Sequence, residues 1–458
     1  MGVIALTASA PACAAAGPAV LGVSVDFILF GVTLLGVALF HRHTLYVALA
    51  GLAAITLYKL GFPGFKEGAG LAGLGAHMHS EWVILTNLLC LLLGFALLSR
   101  HFEKTHLPAV LPRFLPHDWK GCFVLLVIVF VLSSFLDNIA AALIGGAMAH
   151  TLFRGKVHIG YLAAIVAASN AGGSGSVVGD TTTTMMWIDG VDPLDVLEAY
   201  VAASVAVVIC GIPAALQQQR YSPILKHEHQ HIHVDWPRLG IVFFILIVAI
   251  VTNVAMNVKF PESSDHFPFI GASVVIALLL TVPLRRPDWE VLPESFKGSI
   301  FLLSLVTAAT MMPVEKLPAA SWHTAMGLGF VSAVFDNIPL TALALKQGGY
   351  DWGYLAYAVG FGGSMIWFGS SAGVALSNMF PEAKSVGRWL YHGWHVTLAY
   401  VIGFFVLLLV MGWHPNAPHK SGTRAAAAGA DPTAVSRSAA FHPAEGRHTR
   451  LAMIPARA

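Results

Sequence analysis

The chain states one pattern twice, and that repeat limits what it can fold into. The first copy begins Ser133-Ser134-Phe135-Leu136-Asp137-Asn138-Ile139 and the second Ser332-Ala333-Val334-Phe335-Asp336-Asn337-Ile338. Each is followed by a glycine-rich stretch: Gly172-Gly173-Ser174 with Gly179-Asp180, then Gly362-Gly363-Ser364 with Gly369-Ser370. Two motifs recurring in the same order are an internal duplication. Both copies lie in strongly apolar sequence, where an Asp-Asn pair and a run of glycines are costly unless they form a site.

Of the 458 residues, 56% are hydrophobic and 11% charged. A soluble domain carries roughly 25% charged residues, so the composition defines an all-α polytopic membrane protein. A net charge of +2 gives no basis for a nucleic-acid partner. The four cysteines show no paired spacing, and three lie in apolar runs, where they read as small buried hydrophobes. Paired His or Cys at helical spacing is missing from the spans, which argues against a redox or membrane-bound enzyme and against a bound cofactor.

Apolar runs at 20–40, 45–62 and 82–99 read as three spans, with 63–81 as a Gly-rich loop and Lys59 snorkelling to the interface. Residues 121–153 are apolar but interrupted at Asp137-Asn138. Basic residues on both sides favour a re-entrant hairpin over one broken span. An interrupted helix follows over 159–188, with its break at 169–180, and 196–216 crosses back. The second half repeats the plan: spans at 239–257, 269–284 and 299–312, a hairpin at 322–345, an interrupted helix at 352–379 and a last span at 390–411. Each half makes five crossings, so the second enters from the opposite side and the repeats are inverted. The expected organisation is a tail 1–18, a first repeat 19–217, a polar His-rich cytoplasmic loop 218–238, a second repeat 239–412 and a disordered tail 413–458. Basic loops at 41–43, 100–120, 154–156, 217–238 and 285–297 then share one side, and the acidic 189–195 loop lies on the other. Charge bias makes the basic side cytoplasmic in a multi-pass inner (plasma) membrane protein, with both termini outside. The basic C-terminal tail runs against that assignment.

Unwound backbone within a bilayer is tolerated where protein or a water-filled cavity satisfies it, and inverted repeats with broken elements are a layout of secondary transporters. The polar groups at the breaks are carboxylates (Asp137, Asp180, Asp336) and neutral oxygens (Asn138, Asn170, Asn337, Ser174, Ser364, Ser370, Thr181). Such a set suits a hard cation. Gly172, Gly173, Gly362 and Gly363 let a ligand approach the backbone. A carboxylate that holds either a metal ion or a proton, never both, is the minimal machine for exchange. Ordinary readings stand beside these. Asp-Asn is a common helix cap, Thr182–Thr184 pack well between helices, Asp26 suits an interface role, and the His227–His233 cluster suits a solvated loop.

The residues Asp137-Asn138-Ile139, Ala168-Ser169-Asn170-Ala171-Gly172-Gly173 and Val178-Gly179-Asp180-Thr181-Thr182-Thr183-Thr184 resemble the NhaD-type sodium/proton antiporters. So do Phe335-Asp336-Asn337-Ile338-Pro339-Leu340-Thr341, Gly362-Gly363-Ser364 and Phe368-Gly369-Ser370-Ser371-Ala372-Gly373. The likeness covers roughly residues 20–412. It departs from the family where Gly175-Ser176-Val177-Val178 replaces an aromatic residue and a proline, and where Trp367 falls inside the second break. The resemblance implies two inverted repeats, each with a re-entrant hairpin and an interrupted transmembrane helix. It also implies exchange of sodium or lithium for protons, an ion site at the hairpin tips and glycine breaks, and a homodimer. A second reading keeps the scaffold but carries citrate, another carboxylate or arsenite. Aspartates at both tips count against a polyanion, and no basic residue lies in the breaks.

Overall fold

The computed structural model describes residues 18–416, apart from 21, 41–42, 63, 112–114, 177 and 225–232. The N-terminal tail, most of the histidine cluster at 227–233 and nearly all of the C-terminal tail lie outside the described residues.

The protein is all-α, with a two-residue β-pair (Ala19–Val20 with Val23–Ser24) ahead of the first helix. In chain order the helices are α1 Val25–Leu39, α2 Thr44–Gly61, α3 Gly70–Glu103, α4 Trp119–Ser133, α5 Asn138–Leu152, α6 Ile159–Ser174, α7 Thr181–Ile188 and α8 Ala199–Tyr221. Then follow α9 Trp236–Lys259, α10 Phe269–Thr281, α11 Leu292–Thr310, α12 Trp322–Ser332, α13 Asn337–Gln347, α14 Trp352–Gly362, α15 Ser371–Met379, α16 Val386–His392 and α17 Trp394–Val410. Among the described residues, five helices are long and apolar enough to cross a bilayer, or six if the bent pair α16–α17 is one span. It is a multi-pass membrane protein.

Two groups of helices emerge from the packing. The peripheral group is α1–α3 with α9–α11, which pack on one another. The core group is α4–α8 with α12–α17. At its centre α6 and α14 lie side by side, and every residue of both is buried. Their sequences allow this: both are rich in Ala and Gly, which lets helix backbones approach closely without a gap to fill. The groups meet mainly where α13 rests on α11 and α7 on α3.

The interruptions fall at the motifs. The chain turns between α4 and α5 at residues 134–137 and between α12 and α13 at 333–336. The arms α4 and α5 have 15 residues each; at about 1.5 Å per residue that is about 22 Å, short of the roughly 30 Å hydrocarbon core. The arms α12 and α13 have 11 residues each and fall shorter still. The glycine stretches separate α6 from α7 and α14 from α15.

Several expectations are corrected. Residues 70–81 are not a loop but the first turns of the 34-residue α3. Their glycines and mixed composition had suggested a loop, yet His77 is buried and paired: Nδ1 lies 3.1 Å from Glu67 and Nε2 3.2 Å from Thr310 Oγ1. Lys59 does not snorkel. It is buried, 3.5 Å from the buried Asp26, which also accepts from Ser24 at 2.7 Å. The first break is shorter than expected, because α6 continues to Ser174. The short span expected at 299–312 is the 19-residue α11. The last span is bent by 61° between α16 and α17.

Ion pairs fasten the basic-loop end of the peripheral group. Asp235, which caps α9, accepts from Arg285 at 3.1 Å, and Asp288 meets Lys104 at 2.7 Å and Arg100 at 3.2 Å. The Arg285 guanidinium holds the Asp235 carboxyl below the usual carboxylate range, and Lys104 does the same for Asp288. A carboxylate with a depressed folded-state pKa contributes stability that is present above its unfolded value, about 4, and lost as pH falls through the folded value. Purified protein in detergent is therefore expected to lose melting temperature as pH drops below about 4. Arg285→Gln is expected to cost about 0.5 kcal/mol at neutral pH and to flatten that acid limb. An unchanged limb would remove the Asp235 pair from the acid response.

Candidate functional site

The two helix breaks cross at the centre of the core group, and each restarts with a cap supplied by the motif. Asp180 begins α7 and takes the Thr182 amide on Oδ1 at 3.2 Å. Ser370 begins α15 and takes the Gly373 amide at 3.2 Å. The glycines before them are positions of close backbone approach. A Cβ at Gly172 would strike the Phe130 carbonyl of α4, and one at Gly362 would strike the Gly329 carbonyl of α12. The same holds inside each break, where a Cβ at Gly173 would meet the Gly179 carbonyl at 2.9 Å and one at Gly363 the Gly369 carbonyl at 2.8 Å. Glycine here is a packing requirement of hairpin against break.

Polar side chains link the halves. Asn170, on α6 and fully buried, donates through Nδ2 to Ser364 Oγ at 3.0 Å and Ser370 Oγ at 3.1 Å, both in the second break. Its Oδ1 accepts from Asn138, the first residue of α5, at 3.1 Å. Asn337, the first residue of α13, reaches the other way and approaches Asp180 Oδ2 at 3.4 Å. Asp180 is buried, and on its other flank is Gly360, where even a Cβ would lie 3.5 Å from Oδ2. Oδ1 is thus committed to the helix, while the contact of Oδ2 with Asn337 is long and Gly360 of α14 packs close beside it.

The other two aspartates differ. Asp336 accepts the Ile338 amide at 3.0 Å and the Ser371 hydroxyl at 3.0 Å, so both its oxygens are engaged. Asp137 precedes α5 as its N-cap residue but makes no side-chain cap hydrogen bond. Among the described residues, however, no trio of His, Cys, Asp or Glu is arranged to hold a metal ion. The three carboxylates share no common ligand shell among the described residues, so a cation at Asp180 would complete its shell with neutral oxygens.

Not every residue singled out from the sequence enters this crossing. The Ser174 hydroxyl is spent on the Ala171 carbonyl at 2.9 Å. Thr181 is part-exposed at the start of α7, and Thr183 and Thr184 turn their hydroxyls back to the Asp180 carbonyl at 2.9 and 2.8 Å. Other residues were missed. Tyr200 and Ser134 both donate to the Gly172 carbonyl, at 3.1 and 3.2 Å, and Ser176 donates to the Ser134 carbonyl at 2.7 Å. The Trp389 indole donates to the Ser364 carbonyl at 3.2 Å. These groups satisfy break carbonyls that would otherwise be orphaned in an apolar interior. The adjacent serines were visible beside the motif; nothing local marks Tyr200 or Trp389.

Fold and crossing together define a multi-pass membrane protein with a buried, oxygen-lined site between two broken helices. The comparisons with known proteins agree with the motifs. The chain is 28% identical to sodium/proton antiporter 1 of Arabidopsis thaliana over 64% of its own length and 56% of that protein. It is 27% identical to the Na(+)/H(+) antiporter NhaD of Vibrio parahaemolyticus over 54% of its length and 70% of that protein. To the Na(+)/H(+) antiporter NhaD of Alkalimonas amylolytica it is 25% identical, over 62% and 67% respectively. No family model matches the chain. It thus spans between about half and 70% of the length of these curated relatives, and it resembles the NhaD-type sodium/proton antiporters.

Proposed function

We propose that the protein is a secondary transporter that exchanges sodium or lithium for protons across the plasma membrane. The observation that carries this reading is the Asp180 Oδ2 atom. It is a buried carboxylate oxygen at the crossing of two broken helices, and its hydrogen-bond contact, from Asn337, is long at 3.4 Å. A small hard cation and a proton would compete for that atom. The names of the relatives support the same pair of substrates.

In this reading residues 19–217 and 239–412 are inverted repeats. Their α4–α5 and α12–α13 arms are re-entrant hairpins, as the arm lengths favour. The half-helices α7 and α15 restart at the midplane, and Asn138, Asn170, Asn337, Ser364 and Ser370 supply the neutral oxygens around Asp180. Asp137 and Asp336 add negative field, which attracts the cation. The core group moves relative to the peripheral group, and the site opens to each side in turn. The protein acts as a homodimer.

Everted vesicles with a pH-sensitive fluorophore test the substrates directly. Once respiration has set up a proton gradient, sodium and lithium are expected to dissipate it, and potassium and citrate are not. A response to citrate with none to sodium would overturn the reading in favour of an anion permease.

A further inference from the structure

Of nine ion pairs seen between described residues, eight join parts of the peripheral group or the connections next to it. The ninth is different. Lys346 Nζ, in the last turn of the hairpin helix α13, lies 2.8 Å from Glu81 Oε1 on α3. It ties the core group to the peripheral group. Glu81 is 4% exposed, and its partner is 265 residues away in the chain. A carboxylate buried to that degree needs its cation while α13 stays in place.

At the other end of the molecule the same two groups stand apart. A cavity of about 650 Å³ opens between them there. Leu39, Phe40 and His43 line it from the peripheral side, and Trp367, Asn378 and Lys384 from the core side. Trp367 belongs to the second break, so the cavity reaches toward the crossing. His43 caps the end of α2 that joins the first basic loop, whereas Glu81 lies 22 residues, about 33 Å along the helix, before the end of α3 that leads into the basic loop at 100–120. The structure is therefore parted at the basic-loop end and fastened at the opposite one.

We propose that Glu81 and Lys346 form a clasp that closes the site at the end remote from the basic loops, and that it parts each time the site opens to that side. The inference rests on the exchange cycle proposed above. In the parted state each charge must find water, which an opening crevice supplies. The clasp thus weights the equilibrium toward the state seen here without blocking the other.

The test reads which side is open, and needs no transported ion. In a full-length background with Cys13, Cys90, Cys122 and Cys210 replaced by alanine, Asn378→Cys places a thiol in the cavity. A membrane-impermeant maleimide added from the basic-loop side should label it. Glu81→Gln and Lys346→Gln are each expected to slow labelling about tenfold, as the population shifts toward the opposite state. The charge swap Glu81→Lys with Lys346→Glu is expected to restore it. Unchanged labelling in both single variants would overturn the clasp, and so would a slowing that the swap does not reverse. If a single variant fails to insert, Glu81→Cys with Lys346→Cys decides. A short thiol cross-linker should then stop sodium-driven proton movement, and reductant should restore it; transport that continues in the cross-linked protein overturns the clasp. Absence of any sodium or lithium response in the unaltered protein, with the labelling pattern as expected, would instead sink the exchange reading alone.

Discussion

Asp180→Asn is expected to abolish sodium- and lithium-driven proton movement, by at least about a hundredfold, while the protein inserts and folds normally. The two halves of this expectation come from the two oxygens of one carboxylate. Oδ1 accepts the Thr182 amide and starts α7, and an asparagine oxygen does the same with little change in shape. Oδ2 faces Asn337 across a long contact, and an amide nitrogen there neither binds a proton nor attracts a cation. Loss of a charged contact at a buried site is worth about 3 kcal/mol, which is about a hundredfold in rate. The control is thermal stability in detergent, expected to be unchanged or slightly raised because a buried charge has been removed. Asp336→Asn should be milder, since the hydrogen bonds of Asp336 to the Ile338 amide and Ser371 are of a kind that asparagine partly retains. Wild-type exchange in Asp180→Asn at equal protein levels would remove this carboxylate from the mechanism.

The repeat made the core of this fold legible. Asp137-Asn138 and Asp336-Asn337 mark the turns between helix pairs, and the glycines mark the breaks before Asp180 and Ser370, where a Cβ would strike neighbouring backbone. What stayed hidden depends on partners distant in the chain. His77 and Glu81 looked like loop residues because Thr310 and Lys346, which bury them, are 233 and 265 positions away. Lys59 looked like a snorkelling residue because Asp26, its partner, belongs to the preceding helix. The extent of α6 was misjudged for a related reason. Asn170 reads as a helix breaker, yet it stays helical because its side chain finds hydrogen-bond partners in the other half rather than in its own backbone. The 61° bend at Gly393 has no signature beyond the glycine itself, and glycine is common in membrane helices.

Asn170→Ala is expected to lower exchange about thirtyfold and to reduce stability by about 2–4 kcal/mol, since removing one fully buried amide strands several groups at once. The Asn170 side chain is the junction of three others: Asn138 from the first hairpin, and Ser364 and Ser370 from the second break. A serine hydroxyl can rotate to a backbone carbonyl, but the Asn138 amide has no such freedom at the start of α5. The loss should therefore fall on the position of the hairpin tip, next to Asp137, more than on the second break. A cycle of variants separates the two. Ser370→Ala removes one partner, and in the Asn170→Ala background it should cost little more, because the contact is already gone. Asn138→Ala should behave likewise, with the larger coupling of the two. Losses that simply add in both pairs would mean that Asn170 acts only by filling space, and the junction between the halves would have to be sought elsewhere.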